Sequence, residues 1–232
     1  MDVHRDFLIA CIAATNAQGV TEYQSRRFST YTGSLRELRD WLLANDCKDV
    51  CMESTGKYWF PVHNILEESC HVVVSHPKFV KAIKGKKTDK KDAQWIADLF
   101  KHDLVRGSFI PPKDIRQLRD LCRYWVKLSS YMTGEKNRAQ NCLTVSNFKL
   151  DDVFSNVFGK SASAITTQLL EHPGEPFDVT PFVHGRCKTP IAQIQEAVDG
   201  IFTYEQAEKL KIIRSHMDSL EKHKAELESL IL

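Results

Sequence analysis

The stretch FLIACIAATNAQGVTEYQSRRF, Phe7 to Phe28, decides the fold. Its first nine residues are strongly apolar and strand-like. Asn16-Ala17-Gln18-Gly19 has the composition of a turn, and Val20 to Phe28 alternates well enough to pair back as a β-hairpin. Downstream, Ser34 is placed to cap a helix running to about Asn45, with Leu35, Leu38, Trp41 and Leu42 on one face. Asp49 to Met52 reads as a short strand ending on Glu53, and Ser54-Thr55-Gly56 as a turn. Tyr58 to Glu68 is a second helix, His71 to Ser75 a further strand, and Asp89 to His102 a third helix. Strand pair, helix, strand, helix, strand, helix predicts an α/β fold, a mixed sheet with helices on its faces.

Pro111-Pro112 marks a boundary. From Asp114 to about Asn147 the pattern is one long, basic, amphipathic helix, in which Gly134 allows a kink or break. Shorter helices follow over 150–171, and residues 172–190 read as a loop. Leu210, Ile213, Met217, Leu220, Lys224, Leu227 and Ile231 are spaced by three and four, an a/d heptad seam with one polar interruption at Lys224. The sequence stops inside this pattern, so the expectation is a fragment or a coil that continues further.

At 232 residues the chain can hold one large or two small domains. Net charge is only +2, so the basic character is local, gathered at 78–91 and 113–138. A patch of this kind suits a nucleic-acid groove. Seven scattered cysteines with no Cys-x-x-Cys pair argue against zinc and for buried free thiols in a reducing compartment. No signal peptide and no bilayer-length apolar run is present.

Within the basic segment stands KTDKKDAQWIADL, residues 87 to 99. Asp89 and Asp92 are three residues apart, on one face of the helix start. From spacing alone they read equally as first-turn acids favoured by the helix dipole or as ligands. Asp2 precedes the hairpin and Glu53 ends a strand, and such a sheet brings strand ends and the start of a packed helix to one edge. Four acids suit one or two Mg2+ ions, which take oxygen ligands and keep several waters.

The order Asp2-Val3-His4-Arg5-Asp6, then Met52-Glu53-Ser54-Thr55-Gly56-x-Tyr58-Trp59, then Lys87-Thr88-Asp89-x-x-Asp92-Ala93-x-x-Ile96-Ala97 is similar to the DEDD-type insertion-sequence transposases, recombinases related to the pilin-gene invertase Piv. The similarity runs on through Arg116-Gln117-Leu118-Arg119 and Lys136-Asn137-Arg138. It implies an RNase H-like (RuvC-like) catalytic domain over 1–105, a helical nucleic-acid-binding region over 106–200, and a coiled-coil oligomerisation segment over 201–232. The catalytic and metal-binding acids would be Asp2, Glu53, Asp89 and Asp92, with Mg2+ as cofactor. Lys84, Lys86, Lys87, Lys90, Lys91, Arg116, Arg119, Arg123, Lys136 and Arg138 would contact nucleic acid.

The resemblance further implies DNA strand cleavage and exchange during transposition, a guiding RNA, homo-oligomers through a 204–232 coiled coil, and a prokaryotic, nucleoid-associated cytoplasmic setting with no membrane. Two departures stand out. Family members carry an apolar first strand leading into the first Asp, where here only Met1 precedes Asp2. They also carry a further domain with a serine nucleophile, and no serine of this chain is assigned that role. Two other readings are a stand-alone RuvC-like, structure-selective nuclease and a catalytically inactive nucleic-acid-binding module.

Overall fold

The computed structural model of the chain describes residues 1–80, 88–185 and 187–232. The expected contacts of Lys84, Lys86 and Lys87 lie outside the described residues. Two compact units are formed, Met1–Pro111 and Pro112–Leu232.

The first unit is mixed α/β. Its hairpin consists of β2 (Phe7–Thr15) and β3 (Thr21–Ser29), paired from Phe7↔Ser29 to Thr15↔Thr21. Asn16 closes the turn, its side-chain oxygen accepting from the backbone N–H groups of Gln18 and Val20. Gly19 supplies the positive φ of 79° that this turn needs. A two-residue β1 (Asp2–Val3) lies antiparallel on the other edge of β2, with Asp2↔Ile9 and Val3↔Leu8. Periodicity alone predicts no strand at these two residues, which are too short to show one.

β4 (Asp49–Glu53) and β5 (His71–Ser75) form a parallel pair. The Met1 nitrogen donates to the Cys51 carbonyl at 2.7 Å, which sets β1 beside β4. After the last helix of the unit the chain returns along β5, where Ser108 N–H bonds the Val74 carbonyl and Ser75 bridges Gly107.

Alternation along these strands divides the core. Met1, Val3, Leu8, Ala10, Ile12, Val50 and Met52 turn to one face. There they meet Leu35, Leu38 and Leu42 of α1 (Thr32–Ala44) and Trp59, Val62 and Leu66 of α2 (Trp59–Leu66). Cys51 turns to the other face, with Val80 of the short α3 (Pro77–Val80) and Ile96 of α4 (Asp89–Lys101). Ser34 does not cap α1: Tyr31 holds that position, and the Ser34 hydroxyl instead accepts from Ser29 N–H at 3.1 Å.

The second unit is all-α. α5 (Lys113–Val145) runs unbroken through Gly134. It is followed by α6 (Leu150–Val153), α7 (Lys160–Glu171), a 3-10 turn at Thr180–Phe182, α8 (Ile191–Ala197) and α9 (Tyr204–Ile231). The heptad seam of α9 is filled within the chain. Leu220 and Leu227 bury against Leu128 and Met132 of α5, with Trp125, Met217 and Ile231 around them. Lys224, the polar interruption, lies 4.6 Å from the centroid of the Trp125 ring, and Trp125 Nε1 donates to Glu228. Leu210 and Ile213 continue the seam into the cluster around Phe148, Ile165 and Ile194.

All seven cysteines are free, but only Cys51, Cys70 and Cys142 are buried, while Cys122 is exposed. Burial of all of them, expected from the sequence, does not hold. Cys122 sits on the outer face of α5, where an amphipathic helix leaves positions open to water.

The facial assignment of α1 is testable. Leu38 is 0% exposed and Leu43, five residues on, is 37% exposed. Leu38→Ala is expected to cost about 2–5 kcal/mol of stability by urea unfolding, whereas Leu43→Ala stays within about 1 kcal/mol.

Candidate metal centre

Asp2 stands on β1, and its neighbours Met1 and Val3 are both in the α1/α2 core. Its side chain must therefore turn to the opposite face, toward α4. The same alternation along β4 buries Met52 on the core face and turns Glu53 toward the α4 side. α4 begins at Asp89 because Thr88 caps it: the Thr88 hydroxyl accepts from Lys91 N–H at 3.3 Å, from an extended backbone. Ala93 and Ile96 follow Asp89 and Asp92 along the same face of the helix and are buried, which turns that face and its first-turn acids toward the sheet.

Asp2, His4 and Asp89 meet there. One ligand atom from each lies within 4.8 Å of the others, the only such group of His, Cys, Asp or Glu among the described residues. His4 Nε2 is 3.0 Å from Asp2 Oδ2 and 3.9 Å from Asp89 Oδ1. The Asp2 side chain is only 12% exposed and that of Asp89 is 49% exposed, so the group opens to solvent on the helix side. Burial pushes the Asp2 carboxyl above its usual value, hydrogen-bonded His4 draws it back, and the charges of Asp89 and Asp92 raise it again.

Of the four acids expected to share a site, the structure thus brings Asp2 and Asp89 into ligand distance of each other. Asp92 is half-buried on the first turn of α4, outside that group but within electrostatic reach of Asp2. Glu53 is half-buried at the end of β4, where it accepts from the Thr55 hydroxyl at 3.2 Å. His4 is the member that the sequence reading left without a role. The signal for it was Asp2-Val3-His4: residues two apart on a strand share a face. A tight turn at Arg5-Asp6 returns the chain to β2, His4 N–H bonding the Phe7 carbonyl, and stacks the His4 ring 4.7 Å from that of Phe7.

The expected nucleic-acid contacts fall in both units. Lys90 and Lys91 are exposed beside the acids on α4. On α5, Arg119, Arg123, Lys136 and Arg138 are exposed and Arg116 is half-buried. Arg138 is engaged by Glu135 at 2.9 Å, and Lys136 lies 5.6 Å from the Phe158 ring centroid.

The Asp2 shift has a sign that can be measured. In the unfolded chain its carboxyl titrates near 3.8 and in the folded chain at a higher value. The folded state therefore holds the extra proton in the window above 3.8. That contribution to stability is complete below 3.8 and is lost as pH rises through the folded value. In chelator at pH 7, Asp2→Asn is expected to raise the melting temperature, with the gain shrinking as pH falls toward 3.8. A variant less stable than wild type by the same margin at every pH would contradict the assignment.

A search among curated proteins gives no match. The sequence profile of the IS110-type DEDD transposases, described as transposase, matches residues 1–147. Those residues span the whole α/β unit, with the Asp2, His4 and Asp89 group, and all of α5. Well over half of the chain is matched, and the chain belongs to the IS110-type DEDD transposase family.

Proposed function

We propose that the α/β unit is an RNase H-like (RuvC-like) domain that holds Mg2+ between Asp2 and Asp89, with Glu53 and Asp92 nearby, and acts on DNA strands during transposition of an insertion sequence. The observation that carries this reading is the approach of Asp2, His4 and Asp89 at the junction of β1 and α4. Transposase membership makes DNA the substrate class. A sheet of three antiparallel strands beside a parallel pair, with helices on both faces, supports the fold assignment.

The donor set fits the ion. Two carboxylates, one buried and one open, suit a hard cation that keeps several waters. When bound, Mg2+ would supply Lewis-acid polarisation of a phosphate oxygen. The chain's own residues do the rest. His4 holds the Asp2 carboxylate in orientation through its hydrogen bond. The N-terminus of α4 favours negative charge at Asp89 and Asp92. Lys90 and Lys91 draw the phosphate backbone toward the acids. Arg119 and Arg123 on α5 offer phosphate contacts for DNA or a guiding RNA. Self-association through 204–232 then falls to the outer face of α9, where Ile212 and Leu230 are exposed, since the seam is filled by α5.

Calorimetric titration of the full chain with Mg2+ and with duplex DNA tests the reading. Asp89→Asn is expected to abolish the metal-binding heat, and His4→Ala to weaken metal affinity about 10–100-fold. Lys90→Ala with Lys91→Ala should leave metal affinity unchanged while weakening DNA binding and flattening its salt dependence by a slope of about 2. Undiminished metal binding by Asp89→Asn would refute the site.

A further inference from the structure

α4 crosses the sheet on a diagonal. Its first turn stands at β1, where Asp89 meets Asp2 and His4. Its second half stands over the start of β3, where Asp98 accepts from the Tyr23 hydroxyl and Lys101 donates to the Thr21 hydroxyl. The later half of β3 is left uncovered beside the first turn of the helix, and a wedge of sheet lies open there.

Register decides what the floor of this wedge carries. Asp2 pairs with Ile9 and Ile9 with Arg27, so the three stand in one row across β1, β2 and β3. Residues directly opposite one another share a face of the sheet, and Asp2 faces α4. Arg27 therefore faces α4 as well, two strand spacings from Asp2, or roughly 10 Å between backbones. Phe7, two residues before Ile9, is on the same face. The Arg27 guanidinium lies 4.0 Å from the centroid of the Phe7 ring, and the His4 ring lies 4.7 Å from it. Phe7 thus seats both the histidine bonded to Asp2 and an arginine on the open side of the wedge.

The charge of Arg27 is not spent inside the fold. Its side chain is exposed. Among the described residues, Arg5, Arg39 and Arg138 lie within ion-pair distance of a carboxylate, and Arg27 does not. Contact with the ring holds a guanidinium by its flat side and leaves its N–H edge free for a two-point bond to phosphate. A free anion is repelled by the acids close by. A nucleic-acid strand held at the metal is not, and it brings further phosphates at fixed spacing.

We propose that Arg27, seated on Phe7, is a phosphate-binding residue of this centre. It grips the DNA backbone one or two phosphates away from the one held between Asp2 and Asp89, so that the strand crosses the sheet from β1 toward β3. The assignment rests on the reading of Asp2 and Asp89 as a metal centre acting on DNA.

Arg26 supplies the control. It is the next residue, is also exposed, and also lies on a ring, 4.8 Å from the Phe28 centroid. Alternation turns it to the other face of the sheet, where Ala10 and Phe28 belong to the α1/α2 core. Loss of either arginine takes one charge from the same strand, but only Arg27 stands in the wedge.

The test titrates the full chain into fluorescein-labelled duplex DNA at saturating Mg2+ and follows anisotropy from about 50 to 200 mM salt. Arg27→Ala is expected to weaken binding roughly tenfold and to lower the salt slope by about 1. Arg26→Ala should change affinity less than about twofold and leave the slope alone. Phe7→Leu removes the ring and keeps an apolar side chain. It should weaken wild-type binding about threefold and do nothing further in the Arg27→Ala background. The heat of Mg2+ binding, measured on the same proteins, should be kept in Arg27→Ala. With that heat intact, equal slopes in Arg27→Ala and Arg26→Ala would overturn the role of Arg27 alone. So would the same loss from Phe7→Leu with and without Arg27. No Mg2+ heat in the wild type would remove the metal centre, and the proposal with it.

Discussion

The main-chain bond from the Met1 nitrogen to the Cys51 carbonyl joins the antiparallel hairpin to the parallel pair. Strand periodicity then does the placing. Because Met1 and Val3 are committed to the α1/α2 core, Asp2 has to face α4; because Val50 and Met52 are committed to the same core, Glu53 has to face that side too. A slip of one residue in β1 would bury the Asp2 carboxylate among leucines and lift Val3 into the polar group. The register of a two-residue strand thus decides whether a charged centre exists at all.

The centre is electrostatically unfavourable by itself. Asp2 is buried, Asp89 and Asp92 add negative charge, and His4 alone among the named neighbours pulls the other way. Such crowding is costly without a cation and favourable with one. α4 eases part of the load, as its Thr88-capped N-terminus points positive dipole charge at the acids. Lys90 and Lys91 stand on the same turn but face solvent, where they are free to meet a polyanion.

Much of this is legible in the sequence because long, strongly periodic segments announce themselves. The hairpin, β5, α4, α5 and the α9 seam all follow from two- or three-to-four-residue spacing. Asp89 and Thr88 are legible too, as an acid and a cap at a helix start. β1, α3 and α8 are not, since two, four and seven residues are too short to show a period. His4 is missed because its role comes from a turn and a face shared with Asp2, not from a metal-ligand spacing. The partner of the α9 seam is missed for a different reason: heptads specify that a helix will cover them, and not whether that helix belongs to the same chain. Here α5 does so, and Lys224 finds Trp125 instead of breaking the seam.

A divalent cation held by Asp2 and Asp89 would relieve the crowding of negative charge there. The most direct measurement is an anomalous difference map from a crystal of the full chain soaked in Mn2+, a stand-in for Mg2+ with similar oxygen preference. One peak is expected within about 2–2.5 Å of a carboxylate oxygen of each residue, with His4 still bonded to Asp2. A peak elsewhere, or none at saturating Mn2+, would contradict it.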